Sequence, residues 1–567
     1  MDREQEPERS YQAKRERLQK RHAALKSERA SWDATNKDIL AYLMPGAARF
    51  NPGEQNRGER EDLAIIDDTG IDAVLTLASG LQTGVANPAE KWFTLRTEDP
   101  DIGKFHSVRK WIDEAVRLGL EAIGRGNTYQ TFFSHYEHMG TVGTAAGFMG
   151  MAKNPQAVLH HYPMGVGQYC LAEDAEGKVT TCYREFSMTV DQIVRQWGRD
   201  NVSDKVRTAY DRHEFENMVQ IVHAVEPRLL RDATKQDNRS MPFMSVYYEQ
   251  GCEEEKVLHE GGFETFPVLA PRWGRRVGDV YGYGPGRRAI GAVKQLQQEQ
   301  FAKAVALDKA IDPPTQGPSS LKGHEVDRNP GGYTPHDAVG ANSGIRTLYE
   351  VNVPLQWMLE EIADVRQRIR RAYFTDLFLM LTQAGAANTR MTAEEVRERH
   401  AEKLLMLGPL LTGLYDELLR PFVETLMQRM MNLGMLPPAP PELHGVDLGI
   451  EFVSPLAMAQ KSIGTFNSDR FVAGLQVVAA LGKTEVLDRL DADGWTETYH
   501  DMTGASPLIL VPREKAAEIR AARAKAQQAM AQAQMMEQQA NVANKLANAP
   551  TDGANAFTDI AAAGSQQ

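Results

Sequence analysis

Met391-Thr392-Ala393-Glu394-Glu395-Val396-Arg397-Glu398-Arg399-His400-Ala401 reads as the start of a long helix. Thr392 and Glu395 have the spacing of a capping box, in which each side chain accepts the free backbone N–H of the other residue. A polar stretch precedes it, Thr382-Gln383-Ala384-Gly385-Ala386-Ala387-Asn388-Thr389-Arg390, and another helical run precedes that. Working outward, the layout is a long helix, a short loop and a capped helix.

The chain has 567 residues, too many for one hydrophobic core, so several subdomains are expected. Hydrophobic residues make up 42% and charged residues 25%, an ordinary soluble composition. The net charge is −12, whereas a free nucleic-acid binder is usually basic. Cys170, Cys182 and Cys252 form no CxxC pair, which argues against a disulfide framework or zinc ribbon. The N-terminus is charged and lacks the apolar stretch of a signal peptide. The most apolar windows, such as Leu404 to Leu414, are about half the roughly 20 residues a bilayer requires. No membrane partner is expected, and the chain reads as soluble and made in a reducing cytoplasm.

The pattern along the chain is α+β and predominantly helical. Residues 1–43 form a charged helix with Tyr11, Leu18, Leu25, Trp32 and Ile39 every seventh residue. One such lane, rather than two, predicts a surface helix lying on its own domain, or else an arm on a neighbour. Pro45 ends it. Residues 46–285 read as an α+β subdomain. Helices are expected at 71–84, 104–124 and 128–140, with strands at Trp92 to Leu95, near 156–186 and on both sides of Gly251. After Gly282-Tyr283-Gly284-Pro285, the stripe Ile290, Val293, Leu296, Phe301, Ala304 and Ile311 predicts a helical rod, stopped at Asp312-Pro313-Pro314. A second rod, Pro354 to about Leu379, carries Leu355, Leu359, Ile362, Val365, Ile369 and Leu377 on one face. Between the rods, residues 313–353 are rich in Pro, Gly and polar residues. The capped helix runs to about Leu433 and should bend or break at Gly408-Pro409 and Arg420-Pro421. Residues 450–512 look helical, and 513–567 form a tail of Ala, Gln, Met and Asn, helical to about 547 and disordered at the end.

Several short motifs imitate functional ones. Gly282-Tyr283-Gly284-Pro285-Gly286 has a misplaced third glycine and no βαβ unit, so it reads as a helix-start turn. Gly482-Lys483-Thr484 lacks the Walker glycine, since Val477 stands there, and ATP binding is rejected. His135 and His138 share a helix face without a third ligand, and His160-His161 point opposite ways on a strand, so structural histidines are expected. Asp491-Ala492-Asp493-Gly494 fails as a calcium loop because Trp495 and Met502 occupy ligand positions. No catalytic grouping, metal or cofactor site is expected. The arginines Arg366, Arg368, Arg370 and Arg371 admit two readings: salt bridges with Asp364, Glu360 and Glu361, or phosphate contact.

The central layout resembles that of portal proteins, the head-to-tail connectors of tailed bacteriophages. Four further segments resemble those of short-tailed phages. They are Trp32 through Tyr42 to Pro45; Asp68-Thr69-Gly70 with Leu77-Ala78-Ser79-Gly80-Leu81, Asn87-Pro88 and Trp92-Phe93; Tyr281-Gly282-Tyr283-Gly284-Pro285; and Phe452-Val453-Ser454-Pro455-Leu456-Ala457 with Gln460-Lys461. Their order covers about residues 30–460; the tail after about 515 carries no matching motif.

The resemblance implies a homo-oligomeric ring in the virion, usually of twelve subunits, with no catalysis of its own. Its partners would be double-stranded DNA passing through, the terminase motor, tail adaptor proteins and the capsid protein. It implies a wing (1–285), stem helices (286–312 and 354–379) with a clip between them (313–353), a channel loop (380–391), a kinked wing helix (392–433) and a crown (434–512). Gln383, Asn388, Thr389 and Arg390 would face DNA in the channel loop, and Arg366, Arg370 and Arg371 would line the stem. Lys322, Arg328 and Arg346 would meet partners in the clip. An assembly scaffold and a DNA-processing enzyme are the competing readings; the enzyme would need a phosphate-binding or metal-carboxylate constellation.

Overall fold

The computed structural model describes residues 5–311 (except 52, 55, 57, 100, 230, 232–233, 236 and 253–255), 315–316, 346–347, 355–383, 407–458, 471–472, 474–475, 491–503, 511 and 513–547. Two compact units divide the chain, residues 1–470 and 471–567.

In the first unit, helix α1 (Gln5–Leu43) leads to α2 (Thr69–Val85), strand β1 (Phe93–Thr97), α3 (His106–Arg125) and α4 (Thr128–Thr141). Then come β2 (Ala146–Met151), β3 (Leu159–Met164), β4 (Tyr169–Glu173) and β5 (Val179–Thr189). Two short helices, α5 (Val190–Trp197) and α6 (Asp204–Asp211), precede β6 (Met218–Pro227), β7 (Phe243–Glu249), β8 (His259–Phe263) and β9 (Val268–Leu269). Antiparallel β4-β5-β6-β7-β8 form a meander, and β3-β2-β9 form a second sheet. The expected α+β, mainly helical class is what the structure shows.

Helix α1 lies across the meander of its own chain. Leu18 and Leu25 pack with Cys170, Tyr183, Val222, Val246 and Tyr248. Its cations find acids on that sheet: Arg17 with Glu226 at 2.5 Å and Lys26 with Glu185 at 2.8 Å. Farther along, Trp32 packs against Tyr281 and Tyr283, and Ile39, Leu40 and Leu43 join the main core. One lane per seven residues suffices because the helix lies on its own chain along one side, first on the meander and then on the main core.

The rods are α7 (Pro285–Ile311) and α8 (Leu355–Ala372), packed side by side, with a two-residue pairing between β10 (Thr315–Gln316) and β11 (Arg346–Thr347). At 27 residues, α7 is about 40 Å long. The second rod is shorter than expected. Phe374 adopts φ +54, a left-handed conformation that ends α8, and a separate helix α9 (Thr375–Gln383) follows. Burial compensates that strain: Tyr373 is fully buried and Phe374 stacks on Trp273 at 6.4 Å. Helix α9 then drives Leu377 and Phe378 into the core, Phe378 filling the space above Gly80 of α2.

Beyond it come α10 (Gly408–Leu414), a π-helical turn over Tyr415–Leu419 and α11 (Arg420–Asn432). Pro421 has no N–H to give the carbonyl of Glu417, and Arg420 donates instead to Tyr415, five residues back. The expected break at Arg420-Pro421 is therefore a π-turn rather than a sharp kink. Residues 384–406, with Thr392 and Glu395, lie outside the described residues.

One correction concerns 450–512, expected to be helical. Leu448–Phe452 is strand β12, paired antiparallel to β1 with Phe93 opposite Phe452. The second unit contains α12 (Ala492–Thr503) and α13 (Arg513–Ala547), joined by a two-pronged Arg520–Asp493 contact at 2.5 and 2.6 Å. The Asp491 side chain accepts from the N–H of Asp493 and Gly494, which makes this stretch a capped turn at the start of α12.

The α7 start is set backbone against backbone. Gly143 has φ +95, and any Cβ there would strike the Gly284 nitrogen; a Cβ on Gly284 would lie 2.5 Å from the Met139 carbonyl oxygen. We expect Gly284→Ala to lower unfolding stability by about 3 kcal/mol, because neither neighbour is a side chain that can move aside. Gly291→Ala, in open space on the same helix, should instead stabilise by about 0.5–1 kcal/mol. Urea midpoints of the two variants check this.

Candidate functional site

The hairpin of α7 and α8 is the element on which the sequence reading places function. Its inner half is locked to the core. Asp67, just before α2, is the hub. Its carboxylate accepts from Thr69, from Gln300 at 2.8 Å and from Arg366 at 2.7 and 3.0 Å. Gln297 accepts from the N–H of Ile66 and Asp67 and donates to the Asp67 carbonyl, so one side chain closes three backbone groups. Burial pushes the Asp67 carboxyl up, but the hydrogen bonds from Thr69, Arg366 and Gln300 outweigh it, and its pKa lies below the usual value. Both rods are thus tied to one point at the entry of α2.

Arg366 therefore occupies an ion pair within the chain. Arg368 also has internal partners, Asp364 at 3.1 Å and Glu361 at 3.6 Å. Arg370 and Arg371 are exposed. Gln383 is the last residue of α9, while Asn388, Thr389 and Arg390 lie outside the described residues. Arg346 is in β11; Lys322 and Arg328 lie outside the described residues.

What the sequence reading missed is the company these arginines keep. The antiparallel packing brings the end of α8 to the start of α7, so Arg368 and Arg371 line one hollow with Arg288. Arg276 and Arg287 join Arg288 in the adjoining cleft. The doublets Arg275-Arg276 and Arg287-Arg288 were visible signals; their meeting with Arg368 and Arg371 was not.

The outer half of the hairpin differs. Val293, Leu296, Ile362, Val365 and Ile369 of the two expected stripes are buried. Phe301, Ile311, Trp357 and Leu359 are 61%, 81%, 75% and 52% exposed. For Phe301, Ile311 and Leu359 this corrects the stripe reading: periodicity marked an apolar face, but this chain alone covers only part of it.

Behind the hairpin, His135, His138 and His161 are buried together near Arg429, while His160 is exposed as strand alternation requires. His161 packs against Phe132 and Phe422. Among the described residues no cluster could hold a metal, and no helix is long and apolar enough to cross a membrane.

The family described as "Bacteriophage head to tail connecting protein" matches residues 15–510. The chain belongs to this family. This connector is 44% identical over 516 residues to the "Probable portal protein" of Bordetella phage BPP-1, covering 91% of this chain and 92% of that one. Over the same length it is 40% identical to the "Portal protein" of Salmonella phage epsilon15, again 91% and 92%. Among solved structures, a chain of the "Virion of native gene transfer agent (GTA) particle" is 12% identical and covers 83% of this chain and 99% of its own, with a TM-score of 0.32. One from the "Neck of native GTA particle computed with C12 symmetry" is 11% identical and covers 79% and 98%, with a TM-score of 0.33. The connector is a phage portal protein and a component of the virion, in a family that is structural rather than enzymatic.

The hairpin root and the histidines behind it each allow a measurement. In a double-mutant cycle, Asp67→Ala and Arg366→Ala should show a coupling of about 1 kcal/mol, a modest value because Arg366 is partly solvated. Burial, followed by neighbouring charges, pushes His135 and His161 down to about 3. The unfolded chain, at about 6.5, binds the extra protons, so stability is full above pH 6.5 and falls below it by up to roughly 1.4 kcal/mol per pH unit per histidine. Thermal melting at pH 7.5 and 5.5 should show the drop, and His161→Phe should flatten it.

Proposed function

We propose that copies of this connector close head to tail into a ring, twelve in number, at one capsid vertex, and that the hairpins wall a passage for double-stranded DNA. Family membership gives the connecting role. The single structural observation that supports the ring is the uncovered apolar band at the outer end of the hairpin, formed by Phe301, Ile311, Trp357 and Leu359. Large apolar side chains left exposed together on one half of the hairpin favour a partner there, and a partner that repeats by rotation closes a ring.

In this reading residues 1–285 form the wing, 286–312 and 354–379 the stem, 313–353 the clip, 380–391 the channel loop, 392–433 the returning wing helix and 434–512 the crown, with 513–567 as a tail. Gln383, Asn388, Thr389 and Arg390 face the DNA; Arg370 and Arg371 stand on the stem. Lys322, Arg328 and Arg346 meet the terminase motor during packaging and tail adaptors afterwards, while the wing touches the capsid protein. ATP hydrolysis belongs to the motor. The chain's net charge of −12 suits a conduit, since DNA in an acidic lumen slides rather than sticks.

Negative-stain images of the purified chain should show rings with a central hole. Replacing Phe301 and Trp357 together by Asp should leave folded single copies by sedimentation; intact rings from that variant would count against the band as the seam. Arg390→Ala should leave rings unchanged and alter packaging or DNA retention in particles; normal values for both would remove Arg390 from the channel.

A further inference from the structure

The arginine cleft at the root of the hairpin has no assigned role, and its charge is unusual for so acidic a chain. A cleft of 570 Å³ is walled by Trp273, Tyr283 and Phe374 and carries Arg276, Arg287 and Arg288. It continues past Arg288 and Ala372 into a hollow of 390 Å³ that adds Arg368 and Arg371. Five guanidinium groups from three separate stretches of sequence therefore converge on one continuous groove.

Their partners are unequal. Arg287 is held in place, with Nη2 donating to the Asn36 side chain at 3.0 Å and its guanidinium 4.4 Å over the Trp32 ring. Arg276 is flattened on Tyr283 at 3.9 Å, which fixes its plane and leaves its charge unneutralised. Asp279, the acid beside them, accepts from the Tyr283 hydroxyl. Arg368 already faces Asp364 and Glu361. Among the described residues Arg276, Arg288 and Arg371 have no acidic partner. The groove also opens at the first turn of α7, where the dipole of a 27-residue helix adds positive potential. Like charges gathered this way repel one another until a polyanion arrives.

We propose that this groove binds the phosphodiester backbone of nucleic acid, a contact that rests on the reading of the connector as a DNA conduit and is separate from the loop at 380–391. Guanidinium forks match phosphate oxygens in pairs. Five guanidinium groups along one continuous groove at the hairpin root suit several phosphates of one strand better than one small anion. Unlike a loop contact, this one stands on two packed helices, so its geometry is set before DNA arrives.

The test uses the full chain and a 30-base-pair duplex, with binding followed by fluorescence anisotropy from 50 to 300 mM salt. Removing one arginine–phosphate pairing should flatten the slope of log K against log salt by about 0.9. The Arg288→Ala/Arg371→Ala double variant should flatten it by about one to two while forming the same rings in negative stain, and the Arg288→Lys/Arg371→Lys pair should restore most of the slope. An unchanged slope with normal rings overturns the proposal. So does loss of rings with an undiminished slope, which would mean the groove receives carboxylates of a second copy. Failure of the wild type to form rings tests the conduit reading itself, and is read from the unsubstituted chain.

Discussion

Everything in the first unit converges on Arg272. Its side chain is fully buried and meets two carboxylates. Glu417 receives Nη2 at 2.6 Å and also the Arg272 backbone N–H at 2.9 Å; Glu173 receives Nη1. Nε also donates to Glu417, and the second donors of Nη1 and Nη2 go to the carbonyls of Val280 and Gly177. One guanidinium thus joins the end of the second sheet, the β4–β5 turn, the approach to α7 and the π-turn. Removing one partner of such a pair would leave a buried charge uncompensated, a loss of about 3–5 kcal/mol. The π-turn belongs to the same device. Pro421 forces the helical ladder out of register at the turn that carries Glu417. The proline that sequence reasoning marked as a defect thus falls in the turn that supplies the carboxylate.

The hairpin grows from that junction. Trp273 follows Arg272, packs on Phe374 and so meets the left-handed residue that ends α8. Gly282 and Gly284 follow, pressed against the end of α4. Both rods therefore start or finish within a few residues of groups that cannot move independently. A site built there inherits the rigidity of the core, whereas one on a loop would not.

Legibility followed the range of the interaction. Helices α2, α3 and α4 were readable because their apolar spacing is local. The capping box of Thr189 and Gln192, which starts α5, was equally local and went unread. Strand β12 carries the alternation Leu448, Ile450, Phe452, yet its identity depends on pairing with β1 across some 350 residues, which no window contains. Phe374 has no sequence mark at all, since a left-handed aromatic is tolerated only when Trp273 and the surrounding core hold it. The arginines of α8 were visible, as was the local Arg368–Asp364 pair, but Arg366 belongs to Asp67, and Arg368 and Arg371 meet Arg288 only through antiparallel packing. Charge type can be read from sequence; charge company cannot.

The same contrast explains how an acidic chain can handle a polyanion. Cations on α1 are absorbed by Glu185, Glu226 and Glu260 of the meander, and Arg366 and Arg368 by acids near the rods. Helix α8 places Glu360, Glu361 and Asp364 ahead of Arg370 and Arg371, which stand in its last turn, so its charges complement the helix dipole and divide the hairpin into an acidic outer and a basic inner part. The outer part also carries the uncovered apolar band. Burial there by a neighbour would bring acidic side chains of successive copies into one tier, apart from the basic groove at the root. Strong contact at one height and repulsion along the rest would centre a duplex without gripping it, and that follows from the order of charges on a single helix.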